Sequence, residues 1–341
     1  MKLLIITQKV DQDDQLLGFF VGWIKEFAKN FKTIAVLCLE RGNYGLPDNV
    51  QVIGMGKDKN KSKLGQLFNF YRAIIMLEYD AVFVHMNPVW MVLGGPYWRL
   101  MGRKSFLWYT SKGVTLKLRL AEKLADIILT ASPESFRLPS NKVFVTGHGI
   151  DTDLFVPDSG KKMKDGVLRI LSVGRIAPVK NYEILIEAAK MMTDKGLKFE
   201  ISLIGAPALD KDKNYESKIR AKIKKLNLDD YFKFIGKVNN KELPSYYQSY
   251  NLFIHLSKTG SLDKTLLEAM ACGMQVLSSN DAAQGFLPTG SLFKEDDPKE
   301  LADKIMGTSV DAPDGQLRRY VIERHNLDAL ISKITKLLIN K

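Results

Sequence analysis

The sequence is short of several things. Among its 341 residues there are two cysteines and four histidines. The cysteines, Cys38 and Cys272, each sit in an apolar setting. That excludes a disulfide-stapled secreted scaffold and suits reduced core thiols in the cytosol. No apolar run approaches the ~18 residues needed to span a bilayer. Leu3–Ile6 after Lys2 is too short for a signal-peptide core and reads as a buried first strand. Neither a short repeat nor a low-complexity tract is present. Acid is scarcer than base, 38 Asp/Glu against 50 Lys/Arg, for a net charge of +12.

What remains is an ordinary soluble composition, 45% hydrophobic and 26% charged, with length for two domains. The excess charge is uneven: residues 1–150 carry 20 Lys/Arg against 12 Asp/Glu, and the remainder 30 against 26. It is densest over 96–123, where Arg99, Arg103, Lys104, Lys112, Lys117, Arg119 and Lys123 face only Glu122. Tyr97, Trp98, Phe106, Trp108 and Tyr109 lie among them. Basic and aromatic residues together suit an anionic membrane surface; the alternative is a solvated helix face with aromatics turned into the core. No nucleic-acid-binding motif accompanies the charge, so nucleic acid is not an expected partner.

Short apolar runs alternate with longer amphipathic ones. The first half reads as strands at Leu3–Thr7, Thr33–Leu39, Asn49–Met55, Ala81–His85, Ser105–Tyr109, Ile127–Ala131 and Lys142–Thr146. Helices are expected at Gly18–Asn30, Leu64–Leu77, Val89–Met101 and near Leu116–Lys123. A turn-rich stretch, Gly147–Pro157, and the polar Asp158–Asp165 form a linker. The pattern then restarts with strands Leu168–Val173, Lys198–Ile204, Phe232–Gly236, Leu252–His255 and Gln275–Ser278. Helices Glu183–Lys195, Tyr215–Leu226, Glu242–Tyr247 and Thr265–Cys272 lie among them. Repeated βα units predict an α/β protein of two Rossmann-like, doubly wound domains facing a cleft, 1–157 and 166–324. Ligands of such sheets bind beyond the carboxyl ends of the strands. The helical run near the C-terminus, 325–341, is expected to pack back on the first domain.

Two phrases carry chemistry. Gly174-Arg175-Ile176-Ala177-Pro178-Val179-Lys180 follows a buried strand and sets two cations at its end. Leu266-Leu267-Glu268-Ala269-Met270-Ala271-Cys272-Gly273 places a lone carboxylate on a largely buried helix. Cations suit a diphosphate and a carboxylate suits ribose hydroxyls; a surface Arg and Lys flanking a helix capped by Asn181, and a buried ion pair at Glu268, are the structural alternatives.

These phrases, with Phe234-Ile235-Gly236-Lys237-Val238, Glu242-Leu243-Pro244-Ser245-Tyr246-Tyr247 and the linker phrase Gly149-Ile150-Asp151 before Phe155, resemble the retaining glycosyltransferases of family 4 (group 1), of GT-B fold. The resemblance covers nearly all of the second half and the first half more loosely. It implies that the C-terminal domain binds a nucleotide-diphosphate sugar and the N-terminal domain the acceptor. A hexosyltransferase-type reaction would then move sugar to a hydroxyl with retention of anomeric configuration. It further implies that Arg175 and Lys180 bind the diphosphate and Glu268 the ribose, with Gly174 beside them. Gly205, Lys237 and Val238 would lie near the base. No metal or other cofactor is implied, in keeping with the lack of an Asp-x-Asp motif beside a strand.

Similar enzymes carry a Glu eight positions before the helix glutamate; here Gly260 stands there, within Lys258-Thr259-Gly260-Ser261-Leu262-Asp263-Lys264. That loop would meet the sugar through backbone at Gly260 and Ser261, with Asp263, Lys264, Thr265 and Leu266 completing the donor set. Similar enzymes also place a His after the fifth strand, where this chain has Ser111. Ser111 keeps a hydroxyl but not an acid–base imidazole near neutral pH. His85, at a strand end, is a catalytic or acceptor-site candidate; Gly18, which opens the helix behind the acidic loop Asp11, Asp13, Asp14, is by the resemblance a donor-binding residue whose backbone N–H lies near the phosphates and the acceptor. The expected acceptor is a glycan or lipid-linked glycan in cell-surface polysaccharide or glycolipid synthesis. The location would be cytoplasmic, peripheral on the inner face of the plasma membrane. A donor-binding protein with weak or no turnover, and a sugar-nucleotide epimerase, are the alternatives.

Overall fold

The apolar runs become parallel strands buried on both faces, which is why they read as continuous rather than alternating. The computed structural model describes residues 1–158, 160, 165–308 and 315–339. Most of the stretch 158–165 and the last two residues of the expected terminal helix lie outside the described residues.

The chain divides into two units, 1–151 with 325–341, and 152–324. In the first, β1 (Lys2–Val10), β2 (Thr33–Arg41), β3 (Val50–Gly54), β4 (Ala81–His85), β5 (Lys104–Trp108), β6 (Ile127–Thr130) and β7 (Val143–Val145) form one sheet in the order β3-β2-β1-β4-β5-β6-β7. Successive side chains of β1 go to opposite faces. Leu3 and Ile5 meet Phe20, Trp23 and Phe27 of α1 (Phe19–Ala28) and Leu330, Ile331 and Ile334 of α11 (Leu327–Ile339). Leu4 and Ile6 meet Phe70 of α2 (Lys63–Met76), Trp90 and Trp98 of α3 (Pro88–Leu100), and Leu118 of α4 (Leu116–Leu124).

Helix α11 is fixed by a backbone exchange with the turn-rich phrase before it. Ile150 N donates to His325 O at 2.6 Å and Leu327 N to Ile150 O at 2.9 Å. His148 N donates to His325 Nδ1 at 3.1 Å, and Trp23 Nε1 to Gly149 O at 3.2 Å.

In the second unit β8 (Leu168–Val173), β9 (Phe199–Ile204), β10 (Phe232–Gly236), β11 (Leu252–His255) and β12 (Gln275–Ser278) run parallel in the order β10-β9-β8-β11-β12. On one face Leu185 of α5 (Tyr182–Asp194), Ile219 of α6 (Asp210–Lys225) and Leu301 of α9 (Pro298–Gly307) pack on Ile170, Ile201 and Ile254. The unit also holds α7 (Leu243–Ser249), α8 (Lys264–Ala271) and α10 (Gly315–His325). Tyr247 of α7 meets Phe253 of β11 edge-on at 5.8 Å.

Two sequence expectations change. Helix α6 begins at Asp210, a turn before the expected Tyr215, because the buried Asp212 accepts from Leu209 N at 3.1 Å and so closes the first turn. Trp98, Phe106, Trp108 and Tyr109 are buried. The aromatic part of the basic stretch is therefore core. What it exposes is aliphatic: Leu100, Met101, Val114, Leu116 and Leu120. Among the described residues no helix is long and apolar enough to cross a membrane.

Candidate functional site

Each sheet reverses its winding once, between β1 and β4 and between β8 and β11, and such switch points open crevices at the strand ends. The second unit concentrates the candidate residues at its own.

There β8 and β9 are each followed by a glycine and β10 ends in one: Gly174, Gly205 and Gly236. Gly174 N donates to Ile204 O at 2.9 Å and Gly205 N to Gly236 O at 2.7 Å. A Cβ on Gly205 would stand 2.0 Å from Gly174 O, so two backbones meet there as only glycine permits. A Cβ on Gly174 would stand 2.9 Å from Lys180 Cε: the lysine stem runs over that bare backbone.

Lys180 closes the 3₁₀ turn Pro178–Lys180. Its Nζ lies 2.5 Å from Asp263 Oδ2 and 3.4 Å from Ser257 Oγ. Lys258 N donates to Val179 O at 2.8 Å, tying the 257–263 loop to that turn. The buried Asn280 braces the loop from below, its Nδ2 donating to Ser257 O at 2.8 Å and Ser261 O at 3.3 Å. Gly260 sits at φ +58° within the loop. Asp263 directly precedes α8, whose first-turn N–H groups carry the positive end of the helix dipole. Thr265 Oγ1, in that turn, is buried with no partner among the described residues.

His255 ends β11 and is 3% exposed. Its Nε2 lies 3.0 Å from Asp263 Oδ2 and its Nδ1 3.0 Å from Ser278 Oγ. Burial pushes the Asp263 carboxyl up, but the Lys180 ammonium and the His255 hydrogen bond outweigh it and hold the group well below the usual range. For His255 burial prevails over the Asp263 carboxylate, with Lys180 adding to it, and the imidazole is pushed down. The sequence alone assigned His255 no motif.

Glu268, on α8, is 2% exposed. Among the described residues its hydrogen-bond partners are neutral: Tyr247 OH donates to Oε2 at 3.2 Å and Asn240 Nδ2 to Oε1 at 3.4 Å. Burial raises its pKa, though Lys264 and both hydrogen bonds act the other way. Asn240 belongs to the loop leaving β10, so the Lys237–Val238 segment and Glu268 meet through it.

Arg175 goes elsewhere. Its Nε lies 3.6 Å from Asp212 Oδ2, at the start of α6, and the side chain is 31% exposed. The structure thus joins Lys180 to the 257–263 loop and Glu268 to the β10 loop, while Arg175 keeps its own partner. Asn181 occupies the helix-cap position of α5, but its side chain donates to Asp296 Oδ1 at 3.2 Å instead of capping.

At the first unit's switch point, Thr7 Oγ1 lies 3.2 Å from His85 Nδ1, and the imidazole stacks on Phe20 at 3.9 Å. The next residue, Met86, is held at φ +61°, a strained backbone for a long side chain. Ser111 N donates to Ser135 O at 2.8 Å and Ser111 Oγ accepts from Gly113 N at 3.3 Å. Thr110 Oγ1 and Gln15 Oε1 are buried without partners among the described residues. Gly18 precedes α1, and a Cβ there would meet Asp14 O at 2.6 Å. Asp11 and Asp14 share the Lys9 ammonium at 3.0 and 2.9 Å. Among the described residues no group of three His, Cys, Asp or Glu could hold a metal ion.

Residues 157–325 match the family model described as Glycosyl transferases group 1. The chain is 29% identical over 184 residues to the amylovoran biosynthesis glycosyltransferase AmsK of Erwinia amylovora, covering 50% of this chain and 43% of that protein. It is 26% identical over 181 residues to the putative colanic acid biosynthesis glycosyltransferase WcaL of Escherichia coli, with the same coverage. The chain thus spans less than half the length of these curated relatives. Among solved structures it is similar to Anabaena HepE in complex with UDP-glucose, with a TM-score of 0.78 at 18% identity over 100% of both chains. It is also similar to sucrose-phosphate synthase from Thermosynechococcus elongatus, with a TM-score of 0.80 at 17% identity over 99% and 98%. Two parallel-sheet Rossmann-like units are the fold these GT-B glycosyltransferases share with it.

Proposed function

We propose that this chain is a glycosyltransferase of the family 4 type, moving a sugar from a nucleotide-diphosphate sugar to an acceptor hydroxyl with retention. One observation carries the reading. At the β8/β11 switch point, Lys180 runs over the Gly174 backbone and reaches Asp263, the residue before α8, and that helix buries Glu268 among neutral partners. The ammonium and the helix N–H groups suit the leaving diphosphate, whose charge grows as the glycosidic bond breaks. Glu268 suits ribose hydroxyls. Arg175 would turn from Asp212 to the phosphates. Similarity to a protein solved with UDP-glucose, and to relatives named for polysaccharide assembly, supports a nucleotide-sugar donor and a cell-surface glycan or glycolipid acceptor. In this reading the acceptor binds the first unit, near His85 and Ser111, and Gly18 faces the donor's phosphates as well as the acceptor.

A thermal-shift series with UDP-glucose, GDP-mannose and ADP-glucose tests the donor assignment. Ligand at about 100 times its Kd adds ~2.7 kcal/mol of stability. At least one donor raises the melting point, and Arg175→Ala removes the effect. No shift with any of them sinks the assignment. A second reading, donor binding without turnover, is favoured by Ser111, whose hydroxyl is engaged with the Gly113 backbone where similar enzymes have an imidazole. Turnover that first emerges in Ser111→His would establish it.

The first unit supports a membrane-surface reading. Residues 61–123 carry ten Lys/Arg and three Asp/Glu. Helix α2 exposes Leu64, Phe68, Ile75 and Met76, and α4 exposes Leu116 and Leu120. Both helices pack on the same face of the sheet. Exposed apolar residues within a basic segment suit insertion into an anionic interface. In liposome flotation the protein should rise with anionic vesicles and not with zwitterionic ones, and Leu64→Ser/Phe68→Ser should reduce it severalfold. Equal flotation with both compositions, or none, removes the reading.

A further inference from the structure

One carboxylate oxygen in the second unit has two claimants. Asp263 Oδ2 lies 2.5 Å from Lys180 Nζ and 3.0 Å from His255 Nε2. Ser278 Oγ accepts from Asn280 N at 3.1 Å, which leaves its proton for His255 Nδ1. His255 is then the Nε2–H tautomer and donates to Asp263. Among the described residues Ser257, Thr259 and Ser278, which hydrogen-bond to this trio, are uncharged, as are Asn280 behind them and Tyr182 on α5, whose hydroxyl burial keeps protonated. The three side chains of the trio are then one ammonium, one carboxylate and one neutral imidazole.

A diphosphate entering this site competes with Asp263 for Lys180. As the ammonium turns to a phosphate oxygen, Asp263 loses its compensating charge in a part-buried site, where an unpaired carboxylate is costly. The same movement removes the cation that opposes charging of His255. We propose that His255 is the positioning residue of the donor site, taking up one solvent proton as a nucleotide-diphosphate sugar draws Lys180 away, so that Asp263 exchanges an ammonium partner for an imidazolium. The proposal rests on the reading that Lys180 binds the diphosphate. It makes donor binding proton-linked, and affinity strengthens as pH falls, by at most tenfold per pH unit.

Calorimetric titration with UDP-glucose tests it. Both phosphates of that donor are diesters, so the ligand brings no group titrating near neutrality. Titrations at about pH 6.5 and 8 in PIPES and in imidazole, buffers of different ionisation enthalpy, count the protons. The wild type should take up a fraction of a proton approaching one at the lower pH and almost none at the higher. Of the four histidines only His255 lies in the second unit, which makes the attribution direct. His255→Gln keeps a donor toward Asp263 but cannot titrate. It should bind within threefold of wild type at pH 8 and show no uptake at either pH. His255→Leu removes the second partner and should weaken binding at least tenfold at both pH values, with circular dichroism checking its fold. Binding without proton uptake in the wild type overturns the proposal, and so does uptake that survives in His255→Gln. GDP-mannose replaces UDP-glucose if the latter gives no heat. Absence of binding by both wild-type titrations instead overturns the donor reading on which the proposal stands.

Discussion

The two units solve the same topological problem and treat the resulting crevice differently. Each sheet reverses once, and each places a buried histidine at the end of the strand just across the reversal, His85 on β4 and His255 on β11. His85 has a hydroxyl at Nδ1 and an aromatic face against its ring. His255 sits against a carboxylate that also holds a lysine. A parallel sheet thus supplies the position, and the loop that follows the strand decides its electrostatics. The 257–263 loop brings Asp263 against Lys180 of the 178–180 turn, so this crevice holds a cation suited to an anionic ligand. In the other crevice Thr7 and Phe20 set a hydroxyl and an aromatic ring against the imidazole.

Removing the charge from one crevice should separate the two most sharply. Lys180→Ala deletes the cation proposed to face the leaving diphosphate, and loss of such a group costs about 3–4 kcal/mol of barrier. kcat/KM for the donor should fall by two to three orders of magnitude in steady-state assays. His85→Ala, at the first unit's crevice, should lower turnover while leaving donor affinity within about twofold. If the histidine variant loses donor affinity as severely as the lysine variant, the division of labour between units is wrong.

The next effect is on stability. Because its native pKa is depressed, Asp263 contributes stability that is present above the unfolded carboxylate value of about 4 and is lost as pH falls through the native one. Asp263→Asn should cost about 2 kcal/mol at neutral pH. That is below the 3–5 kcal/mol of a fully buried pair, because the Lys180 and Asp263 side chains are 15% and 19% exposed. The difference from wild type should narrow in urea melts below pH 4. Thr7→Val, which breaks the contact to His85, should cost about 1 kcal/mol.

Much of this comparison was readable in the sequence, and the unread part has a common cause. Strands and most helices announce themselves by period and by Gly, Pro and Asn at their ends, so the βα order of both units emerged, as did the glycines after β8 and β9. What did not emerge depends on contacts between distant residues. Lys180 and Asp263 are 83 positions apart, and no local pattern says that they share an oxygen. His255 is a polar residue at a strand end until Asp263 folds over it. The start of α6, Asp210-Lys211-Asp212-Lys213, looks like a polar loop because its cap lies inside the helix. The aromatics of 96–123 were ambiguous for a related reason: sequence spacing locates a side chain on an element, whereas burial depends on what packs against it.

The smallest effect has opposite signs in two measurements. Glu268 is buried among neutral partners and its pKa is raised, so its protonated form fits the fold better. The stability this gives is complete below the unfolded value of about 4.3 and disappears as pH rises through the native one, leaving a carboxylate at neutral pH that weakens the second unit. Glu268→Gln supplies the neutral form permanently, keeping an oxygen for Tyr247 and an amide that can turn to Asn240. It should stabilise the protein by about 1 kcal/mol at pH 7, a rise of roughly 2–4 °C in calorimetric melting. The gain should shrink toward pH 4. Donor affinity should fall about tenfold, because a neutral amide accepts ribose hydroxyls more weakly than a carboxylate. A variant that is more stable yet binds donor as well as wild type would make Glu268 a structural residue and move the ribose elsewhere. One that is less stable would mean that Tyr247 and Asn240 already compensate the charge.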